Sequence, residues 1–322
     1  MFKQMVDYTE SICQLIDSSL ANILTFDTSG IELFVLENNP KTLNALIKKL
    51  KTFYKDKPEV DPYKMAYGLM PSQAASSSEA KQMYINGHFC YADKFAILTN
   101  GLGIVRDIIF LDDDFKAAHP ELPVEKKSDS PDEDKTISDS AALKPVLSDF
   151  FASHPTFHPD TFLGDAAFDS ADIYGFLKND FGFQKMLIPY NPRNESSLKK
   201  VGYNQYGYPT WTNDPSIAMR CCGVTKEKGR TTYTYENMDL RLFPGIQRDT
   251  PEWDSLYKIR TSVERAINHF KINMCIAGKR TRNHATTKAD VFLAGIASQL
   301  TVIVAHRMNC PDYIRSLKPL VA

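Results

Sequence analysis

The stretch "YKIRTSVERAINHFK", residues 257–271, sets one acid, Glu264, among four Lys and Arg. At about 100° per residue, Tyr257, Arg260, Glu264 and Lys271 fall within an arc of about 60° over about 21 Å of helix. The spacing therefore predicts a single α-helix with a polar, charged face. Such a face suits solvent, and it equally suits a surface that grips an anion. From Lys258 to Lys288, eight Lys or Arg stand against Glu264 alone, a local net of +7 that could follow a phosphate backbone.

The rest of the chain dilutes that charge. Over 322 residues the net is −1, so no global field marks a nucleic-acid partner, and 43% hydrophobic with 24% charged residues describes an ordinary soluble globular protein. The six cysteines are scattered with no C-x-x-C pair, which indicates neither a zinc site nor a disulfide framework and points to a reducing cytoplasm. The N-terminus lacks a signal-peptide core, and "VFLAGIASQLTVIVA" (291–305) is short for a membrane span and holds Ser298, Gln299 and Thr301. A buried core helix and no membrane partner are expected.

Working outward, residues 1–20 read as a helix and "NILTF" (22–26) as a strand, with Asp27 at its end before a turn-forming "TSG". An amphipathic helix covers 41–56, and the Pro- and Ser-rich stretch 57–83 reads as an exposed loop. Residues 89–111 read as two strands joined at Asn100-Gly101, and 125–140 as a solvated linker. A helix over 141–152 precedes the strand "TFLGDAAF" (161–168), which contains Asp165. A further helix spans 170–180, with Asp169 placed to cap it and Asp172 three residues on. "KMLIPY" (185–190) is a strand, and 191–250 form a β-rich insertion. The order predicts a mixed α/β fold, a five-stranded sheet with flanking helices.

Asp27, Asp165 and Glu264 are the candidate site. Carboxylates are hard oxygen ligands suited to Mg²⁺, and two such ions can activate an attacking oxygen and stabilise a leaving one in phosphoryl transfer. Taken singly, each has an ordinary explanation. Asp27 suits a turn, Asp165 the end of a strand, and Glu264 an ion pair with Arg260 or Lys271 at helical spacing.

Tyr257, Arg260, Glu264 and Lys271 also reproduce the Y-(2)-R-(3)-E-(6)-K signature of bacterial insertion-sequence DDE transposases. "GDAAFDS" (164–170) resembles that group's second-Asp segment, and "FDTSGIELFVLENNPK" (26–41) its first. The resemblance runs from about residue 22 to the C-terminus. It implies an RNase H-like core, with residues 21–190 as its first part, 191–250 as the insertion and 251–322 as its completion. Asp27, Asp165 and Glu264 would be catalytic and would bind two Mg²⁺ ions, with Mn²⁺ able to substitute. Tyr257, Arg260 and Lys271 would contact DNA. The activity implied is Mg²⁺-dependent strand cleavage at transposon ends and strand transfer into target DNA, by a homodimer assembled on DNA in the bacterial cytoplasm at the nucleoid.

Two departures from the pattern stand out. Relatives carry a DNA-binding segment ahead of the first Asp, so residues 1–20 are expected to be the remnant of that region. The insertion is also shorter than the Cys-rich version some relatives have, leaving Cys221 and Cys222 without partners in sequence. Three rival readings follow: a catalytically idle remnant that binds DNA or the full-length enzyme, a metal-dependent nuclease without strand transfer, and an interaction protein with coincidental carboxylates.

Overall fold

A computed structural model describes residues 1–71, 73–85, 88–122, 137–191, 199–203, 209–212, 240–241, 243–278, 280 and 283–316. Residues 125–136 of the linker expected at 125–140 and most of the insertion expected at 191–250 lie outside the described residues, whereas 139–140, expected in that linker, begin a helix capped by Ser138. Cys221 and Cys222 also lie outside the described residues.

The chain starts with α1 (Phe2–Ile16) and the short α2 (Ser18–Ala21), followed by β1 (Ile23–Glu32), α3 (Pro40–Phe53) and α4 (Pro62–Leu69). Strands β2 (Gln73–Ala74), β3 (Ser77–Ile85), β4 (His88–Asn100) and β5 (Val105–Phe110) come next, then α5 (Asp113–Ala118) and α6 (Asp139–Ser153). Beyond them lie β6 (Thr161–Leu163), α7 (Ala171–Asn179), β7 (Lys185–Leu187) and the hairpin β8 (Lys199–Tyr203) and β9 (Pro209–Thr212). Helices α8 (Pro251–Tyr257), α9 (Thr261–Asn268) and α10 (His284–Arg307) follow.

The fold is mixed α/β around an open, mixed sheet of seven strands rather than five. Its order is β2-β3-β4-β1-β6-β7, with β5 also paired to β4. The 13-residue β4 serves two antiparallel neighbours, β3 along its first half (Lys81↔Ala92) and β5 along its second (Phe95↔Phe110). Strands β1, β6 and β7 run parallel, in the register Ile23↔Thr161↔Lys185.

The extra strands come from the stretch expected to be a loop. Pro62 stands in the first turn of α4, where a missing N–H costs nothing, and Asp61 caps that helix through Tyr63 N. The polar β3 is held on both faces. Ala80 and Met83 are buried, and Gln82 donates to the carbonyls of Met70 and Pro71.

A second correction concerns β1, which continues through "TSG" to Glu32, so Asp27 lies mid-strand rather than at a strand end. Gly30 acts here as a packing residue rather than a turn residue. A Cβ at that position would come within 2.5 Å of Ile85 Cδ1 and 2.9 Å of Met83 Sδ.

The chain divides into two compact units. The first comprises Met1–Ala21, Phe26–Phe157 and Thr261–Ala322, and the second Asn22–Thr25 and His158–Arg260. In the first, α1 and α10 close over β5 around Ile12, Cys13, Ile104, Val302 and Ala305. Arg106 of β5 is 1% exposed and donates to Val6 O, Thr9 Oγ1 and Cys13 Sγ on α1. Gln299 of α10 accepts from Thr9 Oγ1 and donates to Val105 O, so the buried polar groups are used to lock three elements together.

The stretch read as a buried core helix lies in α10, which is buried on one face and exposed on the other. Leu293 and Leu300 are 61% and 49% exposed, while Val291, Gln299 and Val302 face the core. Among the described residues it is the one helix long and apolar enough to cross a membrane by length and composition. In the second unit, Phe162, Tyr174, Leu177 and Phe183 are buried, and the Phe162 and Phe183 rings meet edge-on at 5.7 Å.

Candidate functional site

Residues 257–271 do not form one continuous α-helix. Helix α8 ends at Tyr257, Lys258–Arg260 form a 3-10 turn, α9 runs to Asn268, and His269–Asn273 widen into a π-helical turn. A 3-10 turn winds tighter and a π turn looser than 3.6 residues per turn, so the four residues do not share one regular helix. The segment also crosses between the units. Tyr257 and Arg260 end the second, while Glu264 and Lys271 belong to the first. The four signature residues thus divide two and two.

In the second unit, Asp165 lies just beyond β6 instead of within a strand. It caps the 3-10 turn Ala166–Phe168 by accepting a 2.6 Å hydrogen bond from Ala167 N. Arg260 Nη2 stands 3.5 Å from Asp165 Oδ2, with the Asp165 side chain 49% exposed. An ion pair at that exposure and distance contributes at most about 1 kcal/mol, so a cation or a phosphate could displace it. The Tyr257 ring stacks near Trp253, with centroids 6.3 Å apart and planes 17° apart, which fixes its orientation at the end of α8.

Asp169, expected to cap α7, does something else. Ser170 is the cap, accepting from Ile173 N. Asp169 is buried and receives both Arg241 Nε (2.8 Å) and Nη2 (2.6 Å), together with Asn191 N. This bidentate pair holds the Arg241 guanidinium above its ordinary pKa. Of the two acids in "GDAAFDS", Asp169 is committed to a structural pair and Asp165 keeps the accessible carboxylate. Arg248 lies beside this pair, donating to Ile188 O and Arg241 O, with its guanidinium 4.1 Å from the Tyr190 ring centroid.

In the first unit, Asp27 accepts from the next residue's backbone, Thr28 N, at 2.8 Å. Ser29, two residues on and hence on the same strand face, accepts a 2.7 Å hydrogen bond from Lys271 Nζ. Burial pushes the Lys271 ammonium below its ordinary pKa, partly offset by the negative charge of Asp27. Lys271 therefore acts on the face that carries Asp27. Glu264 is exposed on α9, whose opposite side buries Ser262, Val263, Ala266 and Ile267.

Sequence reasoning missed another charged cluster in this unit. His284, at the start of α10, stands 3.0 Å from Asp112 and 3.1 Å from the buried Asp93, the second contact lacking hydrogen-bond geometry. Lys288 reaches Asp112 at 2.6 Å. The hydrogen bond His284 donates to Asp112, together with the nearby negative charge of Asp93, lifts His284 to about 10. Burial alone would raise Asp112, but His284 and Lys288 hold it well below the carboxylate range. Its members come from β4, the end of β5 and α10, and only the folded sheet edge brings them together.

The carboxylates of Asp27, Asp165 and Glu264 are the hard oxygen donors Mg²⁺ takes, so the donor chemistry fits that ion. Among the described residues, however, no three His, Cys, Asp or Glu side chains are grouped closely enough to hold a metal ion. Comparisons with protein-family models, curated proteins and solved structures found no match to this chain.

Proposed function

We propose that the chain is the catalytic domain of a DDE-type transposase, cleaving DNA strands and transferring them to target DNA. The observation that carries this reading is the matching of signature cations to aspartates. Arg260 pairs with Asp165 in one unit, and Lys271 stands on the Asp27 face of β1 in the other. The Arg260–Asp165 and Lys271–Ser29 contacts join residues 95 and 242 positions apart in the sequence, and nothing local demands either. The sheet lends support. Without the β2–β3 extension its order is β5-β4-β1-β6-β7, an antiparallel pair beside three parallel strands, as suits an RNase H-like core.

In this reading Asp27, Asp165 and Glu264 would ligate two Mg²⁺ or Mn²⁺ ions, which activate the attacking oxygen when bound. Arg260 and Lys271 would hold phosphates, Arg as a fork and Lys as a point charge, while Tyr257 would position the strand. DNA is the partner, with a homodimer assembling on it.

The absence of a grouped metal site among the described residues favours a second reading, a catalytically idle protein that binds DNA or an active transposase. Supercoiled plasmid separates the two. The first predicts nicking in Mg²⁺ or Mn²⁺, none in EDTA, and joined products when DNA flanking the coding region is supplied. A gel shift without nicking in either metal would establish the second.

A further inference from the structure

On the first unit, a cavity of about 180 Å³ opens between α9, the β4–β5 turn and α10. Arg265, His269 and Asn273 line it together with Ser298, Arg315 and Gly103 of the turn. No Asp or Glu lines it. Gly103 adopts φ +77°, the left-handed conformation that lets the turn close tightly, and a Cβ there would touch the Arg315 stem at 3.4 Å.

Among the described residues neither Arg265 nor Arg315 has an acidic partner. Arg265 is oriented along its own helix, with Nε donating to Thr261 O and Nη2 to Thr261 Oγ1. The His269 imidazole is pushed below its ordinary pKa by burial. Its Nδ1 lies 2.8 Å from the Asn273 side-chain amide. Two guanidinium groups, an imidazole, amides and hydroxyls in a wall without carboxylates form a donor set for an anion.

Size narrows the ligand. Sites for drug-sized molecules run from about 300 to 1,000 Å³, so this cavity suits a single oxyanion head and not a whole nucleotide. Its position separates it from the site above. On the regular turns of α9, Ser262 and Ala266 of the cavity lie roughly 160–200° around the axis from Glu264. We propose that this cavity binds a small phosphate-class oxyanion: inorganic phosphate, pyrophosphate or the terminal phosphate of a small phosphomonoester.

The test is calorimetric titration of the full chain with inorganic phosphate and with pyrophosphate, in EDTA, at constant ionic strength and without DNA. Saturable binding is expected, weakened about tenfold or more by Arg265→Gln and by Arg315→Gln, both exposed residues whose replacement leaves thermal unfolding unchanged. No saturable heat, or equal affinity in the double variant, would overturn the proposal. A third arm repeats the titration with saturating 20-bp duplex. Retained phosphate binding supports a small-ligand site, while loss of it assigns these arginines to the DNA backbone and overturns the proposal. Because the first two arms use neither metal nor DNA, their outcome is independent of whether the chain cleaves DNA.

Discussion

Lys271 Nζ donates to Ser29 Oγ at 2.7 Å, two residues along the same strand from Asp27. A lysine 242 positions away thereby completes the face on which the first candidate carboxylate stands. The contact is tertiary, made where the helix after α9 widens into a π turn beside β1. That widening is a recurrent feature of functional segments, because it re-aims a side chain without breaking the helix.

The depressed Lys271 pKa has a definite sign in stability. Between its folded value and about 10.4, the unfolded chain holds a proton that the folded chain lacks, so stability rises with pH across that window. Lys271→Met keeps the apolar stem and removes the group. Urea unfolding at pH 7 and at pH 10 should show the wild-type protein gaining relative to the variant at the higher pH. A relative loss would contradict burial of the charged form.

His284 should behave in the opposite sense. Its folded pKa, about 10, exceeds the unfolded value near 6.5, so its contribution is complete below pH 6.5 and is lost as pH rises through 10. The group is partly exposed, and after discounting for solvent screening roughly 2 kcal/mol is expected at neutral pH. His284→Gln should lose about that much at pH 6 and little at pH 10.5. An equal loss at both values would make the residue a packing element only.

The two acids of residues 164–170 should separate cleanly. Asp169 is fully buried with a bidentate arginine, and breaking such a pair costs about 3 kcal/mol, so Asp169→Asn should lower the melting temperature markedly. Asp165→Asn should cost less than about 1 kcal/mol, given its exposure and single long ion pair, while abolishing nicking if it is a metal ligand. Calorimetry and plasmid nicking on the same preparations decide. Matching stability losses in the two variants would refute the division.

Glu264→Gln tests the third acid. Glu264 is exposed on α9, so folding should be unaffected. Under the proposed chemistry, nicking should fall at least about 100-fold, and DNA binding in EDTA should persist or tighten because a negative charge leaves a phosphate-facing surface. Full nicking by this variant would falsify the assignment of Glu264.

Short-range features were legible in the sequence. The amphipathic helix read over 41–56 is α3, and Asn100 closes the β4–β5 hairpin by accepting Ile104 N. The apolar segments at 23–26, 105–110 and 161–163 are strands because their side chains have a core to enter. Each of these follows from residues a few positions apart, and local sequence carries that information. Only the tertiary structure decided the rest. It recruited the polar stretch 77–85 into the sheet because β4 offered unpaired backbone along its first half. It carried β1 past Asp27 and changed the helical winding at residues 258–260 and 269–273. It gave Asp169 to Arg241, Asp165 to Arg260 and His284 to Asp112, partners 72, 95 and 172 residues distant. A charged side chain's partner depends on which elements meet and how much water they exclude, and spacing along one element does not encode that.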